Sequence, residues 1–202
     1  MEILGRETPV VLIDRVFSNT DFPWVTGDNT KAAEQLTRDL ISLGHRRIAF
    51  LGGTPGTYIT FERYKGYENV MKEMFGGVDE SLVLSKGYSI QDGVDMMQRL
   101  LERRRDVEAV FCVNNLVFFG AAEAANEFEL QSGRGLMMAG FDIGSTADLL
   151  QRPLISADQN LGELADAAVS LLLRQGKVAD RQETNRTIPI HLNRYRLGRN
   201  SP

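Results

Sequence analysis

A single cysteine, Cys112, leaves no possibility of an internal disulfide, which suits a reducing compartment. Cys112 sits in the apolar run Ala109-Val110-Phe111-Cys112-Val113, the setting of an inert core residue. A basic surface is also lacking. The net charge is −4, and nucleic-acid binding by the chain itself needs the opposite sign. Arg103-Arg104-Arg105 is the one dense basic run, and it closes a predicted helix, where cations complement the dipole. The two histidines, His45 and His191, are far apart in the pattern and have no cysteine or carboxylate cluster at metal-ligand spacing, so no metal is expected. No apolar run approaches the roughly 18 residues of a membrane span. Met1 to Arg6 lacks the shape of a signal peptide. These absences together predict a cytoplasmic chain.

Catalytic signatures are missing too. Gly52-Gly53 is not followed by the lysine and serine or threonine of a phosphate-cradling loop. No Gly-x-Ser-x-Gly elbow occurs. No catalytic group and no cofactor are expected.

What is present is a regular alternation. In 202 residues with 43% hydrophobic content, short apolar strands are separated by amphipathic helices. Strands are predicted at Val10 to Asp14, Arg47 to Leu51, Leu82 to Ser85, Ala109 to Val113, Leu136 to Gly140, Leu154 to Ala157 and Thr187 to Leu192. Helices are predicted at Asn29 to Leu43, about Phe61 to Phe75, from Ser89 or Gln91 to about Arg104, Leu116 to Phe128, Ser145 to Leu150 and Leu161 to Arg174. Asp28 is a suitable N-cap and Gly44 a suitable stop for the first helix. The rhythm predicts an α/β fold with parallel sheets covered on both faces. Ligands in such folds bind beyond the carboxyl ends of strands. That rule selects the loops at Arg15, Gly52 to Arg63, Gly87-Tyr88, Asn114-Asn115 and Phe141-Asp142.

Six segments, in order, carry a family resemblance. Pro9-Val10-Val11-Leu12-Ile13-Asp14-Arg15 is followed by Leu43-Gly44-His45-Arg46-Arg47-Ile48 with Gly52-Gly53. Arg63-x-x-Gly66-Tyr67 comes next, then Ala109 to Asn115 with Gly120-Ala121, then Gly140-Phe141-Asp142. The last is Ser156-Ala157-Asp158-Gln159 with Glu163-Leu164-Ala165. Each is weak alone; together they resemble the effector-binding domain of the lactose/galactose-repressor (LacI/GalR) family, from about Pro9 to Leu173.

The resemblance implies a two-lobed, type I periplasmic-binding-protein-like fold with its first lobe incomplete and no DNA-binding domain. It places residues 1–53 and 159–182 in the N-terminal lobe, and 54–158 and 183–202 in the C-terminal lobe. Crossings are expected near Gly53, Asp158 and Gln182. It implies a small polar effector, sugar-like or related, bound between the lobes, a homodimer, and operator DNA reached only through the missing N-terminal domain. A periplasmic-type sugar-binding protein is the alternative; Leu43 to Ile48 favours the regulators.

The implied effector-binding residues are Arg63, Asp142, Asn114, Tyr88, Arg15 and Gln159. Arg63 offers a rigid fork of donors. The alternative for it is a surface arginine on the first turn of a helix, an unfavourable place for a cation. Asp142 would accept from ligand hydroxyls or cap the next helix. Asn114 would bind ligand or cap the helix from Leu116. The neighbouring Asn115 stands where the family usually has aspartate, which keeps hydrogen bonding but loses a charge. Tyr88 would stack on the effector or fill core. Arg15 would line the cleft or pair with a neighbour, and Gln159 would face ligand or satisfy backbone groups. Ile59 falls at a contact position and cannot donate. Truncating Arg63 or Asp142 is expected to abolish effector response without disturbing the fold. A partner surface is expected on Leu116 to Phe128 and Ser145 to Leu150. The incomplete first lobe is expected to leave Val10 to Asp14 or Ile48 to Leu51 bare.

Overall fold

The computed structural model describes residues 8–17, 20–150, 152–174 and 185–195. Among the described residues, nine strands form two sheets. The small sheet joins β1 (Leu12–Ile13), β2 (Trp24–Gly27) and β8 (Asn185–Ile188), in that order and all parallel. The large sheet contains β3 (Ile48–Gly52), β4 (Val83–Ser85), β5 (Ala109–Cys112), β6 (Met137–Phe141), β7 (Leu154–Gln159) and β9 (Ile190–Tyr195). Its order is β4-β3-β5-β6-β7-β9, parallel except for β9. The expected α/β class and parallel-dominated sheets are therefore present.

The helices form where caps and apolar stripes agree. α1 (Asn29–Ser42) starts at Asp28, whose carboxylate accepts from Lys31 N at 3.2 Å, and it buries Ala32, Ala33, Leu36 and Leu40 on one stripe. α2 (Tyr58–Phe75) is stopped by Gly76 in the left-handed region. α3 (Ile90–Arg103) opens with a reciprocal capping box between Ser89 and Asp92. α4 (Asn115–Ser132) is capped by Asn114. The segment expected as a short helix from Ser145 is a 3₁₀ turn, Gly144–Leu149. α5 (Leu161–Arg174) buries Leu164, Ala167 and Leu171 against Val25 of β2, which makes a small second core.

Strand order reverses at β3, with β4 on one side and β5 on the other. Right-handed crossovers then place α2 on one face and α3 and α4 on the other. Two close helix approaches follow this division. A Cβ at Gly66 of α2 would overlap the Thr30 carbonyl of α1, and one at Gly120 of α4 would overlap the Ile90 carbonyl of α3.

Several expectations need correction. Ile48–Gly52 was placed in the N-terminal lobe, with a crossing near Gly53. It instead pairs with β4 and β5 in the large sheet, and Ile48 to Leu51 are fully buried rather than bare. α1 belongs with the same core and is tied to β9 by an Arg194–Asp39 ion pair at 2.8 Å. The first crossing is thus Gly27 to Asp28. Sequence reading missed β2 because four residues, Trp-Val-Thr-Gly, are too few to show a period. The second crossing, Gln159 to Asn160, is close to the expected one at Asp158. The expected crossing at Gln182 lies outside the described residues. Thr187 to Leu192, read as one strand of the second lobe, is two strands in different sheets, broken at Pro189, where the chain crosses. Proline cannot donate to a ladder, which accounts for the break.

The three crossings lie together. Asp28 N donates to Ile188 O at 2.9 Å. A Cβ at Gly27 would lie 2.6 Å from Ile190 Cδ1 and 3.1 Å from Gln159 Oε1. Only glycine allows that approach.

Candidate functional site

The reversal in strand order makes the carboxyl ends of β3 and β5 the natural crevice of this sheet. Arg63 occupies it. It lies on the second turn of α2, because the helix begins three residues earlier than its periodicity suggested. The side chain is 2% exposed, so the surface reading of Arg63 does not apply. Its Nε donates to Asn29 Oδ1 at 2.8 Å and its Nη1 to Val113 O at 2.5 Å. The guanidinium lies 3.6 Å from the Phe141 ring centroid. Burial pushes its pKa down to about 10, while Asp142 and Asp14 act in the other direction. The group remains a cation at neutral pH.

Asn29, at the start of α1, completes this clamp. Its Nδ2 donates to Gly27 O at 3.0 Å. One buried amide therefore fixes the first crossing and the arginine together. From the sequence, Asn29 is only a helix start; two polar residues before an amphipathic helix were the available signal.

Asp142 follows β6 with φ 58, in the left-handed region. Its Oδ1 accepts from Gln159 N at 2.9 Å and its Oδ2 from Gln159 Nε2 at 3.0 Å. Asp142 is not a helix cap: the following turn is capped by Asp158, whose Oδ1 accepts from Gly144 N at 3.1 Å. Gln159 Oε1 is buried and unpaired among the described residues. So is Asp14 Oδ1, at the end of β1, where the backbone again takes a positive φ, 65.

Asn114 does cap α4, its Oδ1 accepting from Val117 N at 3.0 Å. Its Nδ2 also donates to Tyr88 O at 3.4 Å. The Tyr88 hydroxyl lies 2.5 Å from Thr57 Oγ1 and 2.7 Å from Thr60 Oγ1. Its ring occupies the space a Cβ at Gly53 would need. Arg15, from the small sheet, sits 5.9 Å above the same ring. The six expected residues thus lie along one tract: Arg15 meets Tyr88, Tyr88 meets Asn114, Asp142 meets Gln159, and Arg63 joins the two halves through Val113 and Phe141, the residues just before Asn114 and Asp142. It spans both sheets. Asn115 is half-buried and its Oδ1 accepts from Leu116 N.

No helix of the described residues is long and apolar enough to cross a membrane. Among them, no group of three or more potential ligands could hold a metal ion.

Comparison with known proteins agrees with this geometry. The family described as periplasmic binding proteins and sugar binding domain of LacI family matches residues 4–187. The chain belongs to this family. It is 28% identical over 174 residues to catabolite control protein A of Priestia megaterium, covering 86% of this chain and 52% of that protein. It is 27% identical over 187 residues to the HTH-type transcriptional repressor PurR of Klebsiella pneumoniae, covering 92% and 54%. The chain spans about half the length of these relatives. Among solved structures, a regulatory protein of the LacI family from Chloroflexus aggregans superposes with a TM-score of 0.84 at 27% identity, covering 95% of this chain and 69% of the other. A complex of the transcriptional regulator CelR with cellobiose gives 0.80 at 27% identity, covering 91% and 57%. The relatives are transcriptional regulators, not enzymes.

Proposed function

We propose that these residues form the effector-sensing part of a bacterial, cytoplasmic LacI-type transcriptional regulator. A small metabolite of the sugar or nucleobase-like kind would bind between the two sheets and shift their relative orientation. The observation that carries this reading is the continuous tract from Arg15 to Gln159. It puts a buried cation, a carboxylate and an aromatic ring at the strand-order reversal, beside all three crossings. Cellobiose bound to the structural relative CelR supports the sugar-like class. In this reading Arg63, Asp142, Asn114, Tyr88, Arg15 and Gln159 contact effector or hold its contacts. A ligand that prefers one orientation of the sheets moves the population toward it. Operator binding resides in another part of the protein.

The same reading includes a homodimer, with a narrower partner surface than the sequence suggested. Phe118, Ala121, Ala122 and Ala125 of α4 are buried in the chain's own core, and Phe119 and Phe128 pack against it. What remains for a partner is Leu116, 42% exposed, and Leu149, 80% exposed. Leu149→Arg should shift a dimer to monomer in sedimentation.

Calorimetric titration with a panel of sugars and nucleobases tests the core of the proposal. The expected result is saturable binding without turnover, weakened about ten- to hundredfold by Asp142→Ala, since that residue supplies charged hydrogen bonds of about 1.5–3 kcal/mol. Turnover of the bound compound would refute it, as would binding indifferent to Asp142.

A further inference from the structure

Resting on that reading, we infer that the subsite under Arg15 selects a flat apolar ring carrying an anionic group, in preference to a free sugar. The cavity there is about 730 Å³ and lies between the end of β1 and the start of α2. Val16, Phe17, Tyr58, Ile59, Phe61 and Tyr88 line it. Phe17 and Phe61 are 57% and 59% exposed, an unusual position for two phenylalanines unless something covers them.

Most polar groups of this wall are already engaged, and Glu62 adds a carboxylate to the lining. Thr57 Oγ1 donates to Thr54 O at 2.7 Å, and the Tyr88 hydroxyl is held between Thr57 and Thr60. Glu62 Oε2 accepts from Thr30 Oγ1 at 2.5 Å. Ile59 has no donor to give. A sugar placed against the aromatic side of this cavity would bury hydroxyls without partners, each weakening binding about tenfold.

Arg15 is the exception. Its guanidinium stands over the Tyr88 ring and has no carboxylate partner among the described residues. An unpaired cation at the rim of an aromatic-lined cavity recognises an anion attached to an apolar body: the ring packs among the aromatic side chains and the charge meets the guanidinium.

Two fluorescent probes test this: anilinonaphthalene sulfonate and its uncharged parent, phenylnaphthylamine. The sulfonate should bind saturably to the folded protein and more tightly than the parent amine. Arg15→Gln should weaken the sulfonate about tenfold and the amine far less, because only the sulfonate pairs with the guanidinium. Phe61→Ser should weaken both. Unchanged sulfonate affinity in Arg15→Gln overturns the inference. Tighter binding of free glucose or ribose, dependent on Asp142, overturns the ring class and leaves the effector-sensing reading intact. Failure of probes and sugars alike to bind saturably refutes both.

Discussion

Replacing Arg63 by alanine should damage the fold as well as the site, contrary to the expectation that the two effects would separate. Truncation leaves Asn29 Oδ1 and Val113 O buried without their donor. Each orphaned acceptor costs about 1–3 kcal/mol. The stacked Phe141 contact, fully desolvated, contributes about 2 kcal/mol more. The vacated side-chain volume adds about 2 kcal/mol, at the low end for a large-to-alanine change because polar walls admit water. Against these stands a relief. Burial lowers the Arg63 pKa from 12.5 to about 10, so holding the charge inside costs about 3 kcal/mol that alanine does not incur. The net expectation is a loss of about 3–7 kcal/mol, at the top of the range of single-site effects.

Arg63→Met separates the contributions. Methionine fills much of the volume and differs from alanine mainly in leaving little cavity, so its expected loss is about 2 kcal/mol smaller. Urea unfolding followed by far-ultraviolet circular dichroism measures both. A loss below about 0.5 kcal/mol for Arg63→Ala, the range of ordinary surface changes, would refute the clamp. So would Arg63→Met being the more damaging of the two. Effector binding by either variant should be measured well below its unfolding midpoint, where the folded population is intact.

Three further outcomes follow from other parts of the structure. Burial lowers the His45 pKa, against an opposing pull from Glu108, so the unfolded chain takes up this proton first; stability should therefore fall as pH drops from about 6.5 through the lower folded value, and His45→Gln should flatten that window in urea midpoints taken between about pH 7 and pH 5. Gly120→Ala forces a methyl group onto the Ile90 carbonyl and within 2.8 Å of Val94 N; it should cost about 1–3 kcal/mol or more in urea unfolding, whereas Gly77→Ala, with open space around it, should be close to neutral. Cys112 is fully buried and its thiol is pushed well above the usual range, so Ellman's reagent should leave it untouched in the native protein and titrate it fully in urea.

The large sheet was readable from sequence because β3, β5 and β6 are short, wholly apolar runs. Ala109–Cys112 and Ile48–Gly52 are buried at every position, and the helices between them carry their own caps. The small sheet was hard to read for the opposite reason. β1 has two residues, one of them, Ile13, 47% exposed, and its ladder ends where Asp14 turns to positive φ. β2 and β8 have four residues each and share a core of few side chains with α5. Their pairing joins residues about 160 positions apart, as in Trp24 with Asn185, and no local pattern encodes that.

The site shows the same division between what a residue is and what holds it. Asp142 and Asn114 were identifiable because one follows a strand and the other caps a helix, and Arg63 and Tyr88 because they match positions of the family's pattern. Their partners were not, because those are set by the crossings. Asn29 reaches Arg63 only because β2 ends at Gly27 and turns into α1. Gln159 reaches Asp142 only because β7 runs beside β6 to the point where the chain leaves the large sheet. Both partners sit where a change in the relative orientation of the sheets would act first. The buried Asp14 and Gln159 oxygens, unpaired among the described residues, lie on the two sides of that same junction. Unsatisfied acceptors carry a penalty that a suitable donor can relieve. A ligand that donates to both would bind one orientation better than any other, which is the differential affinity a population shift requires.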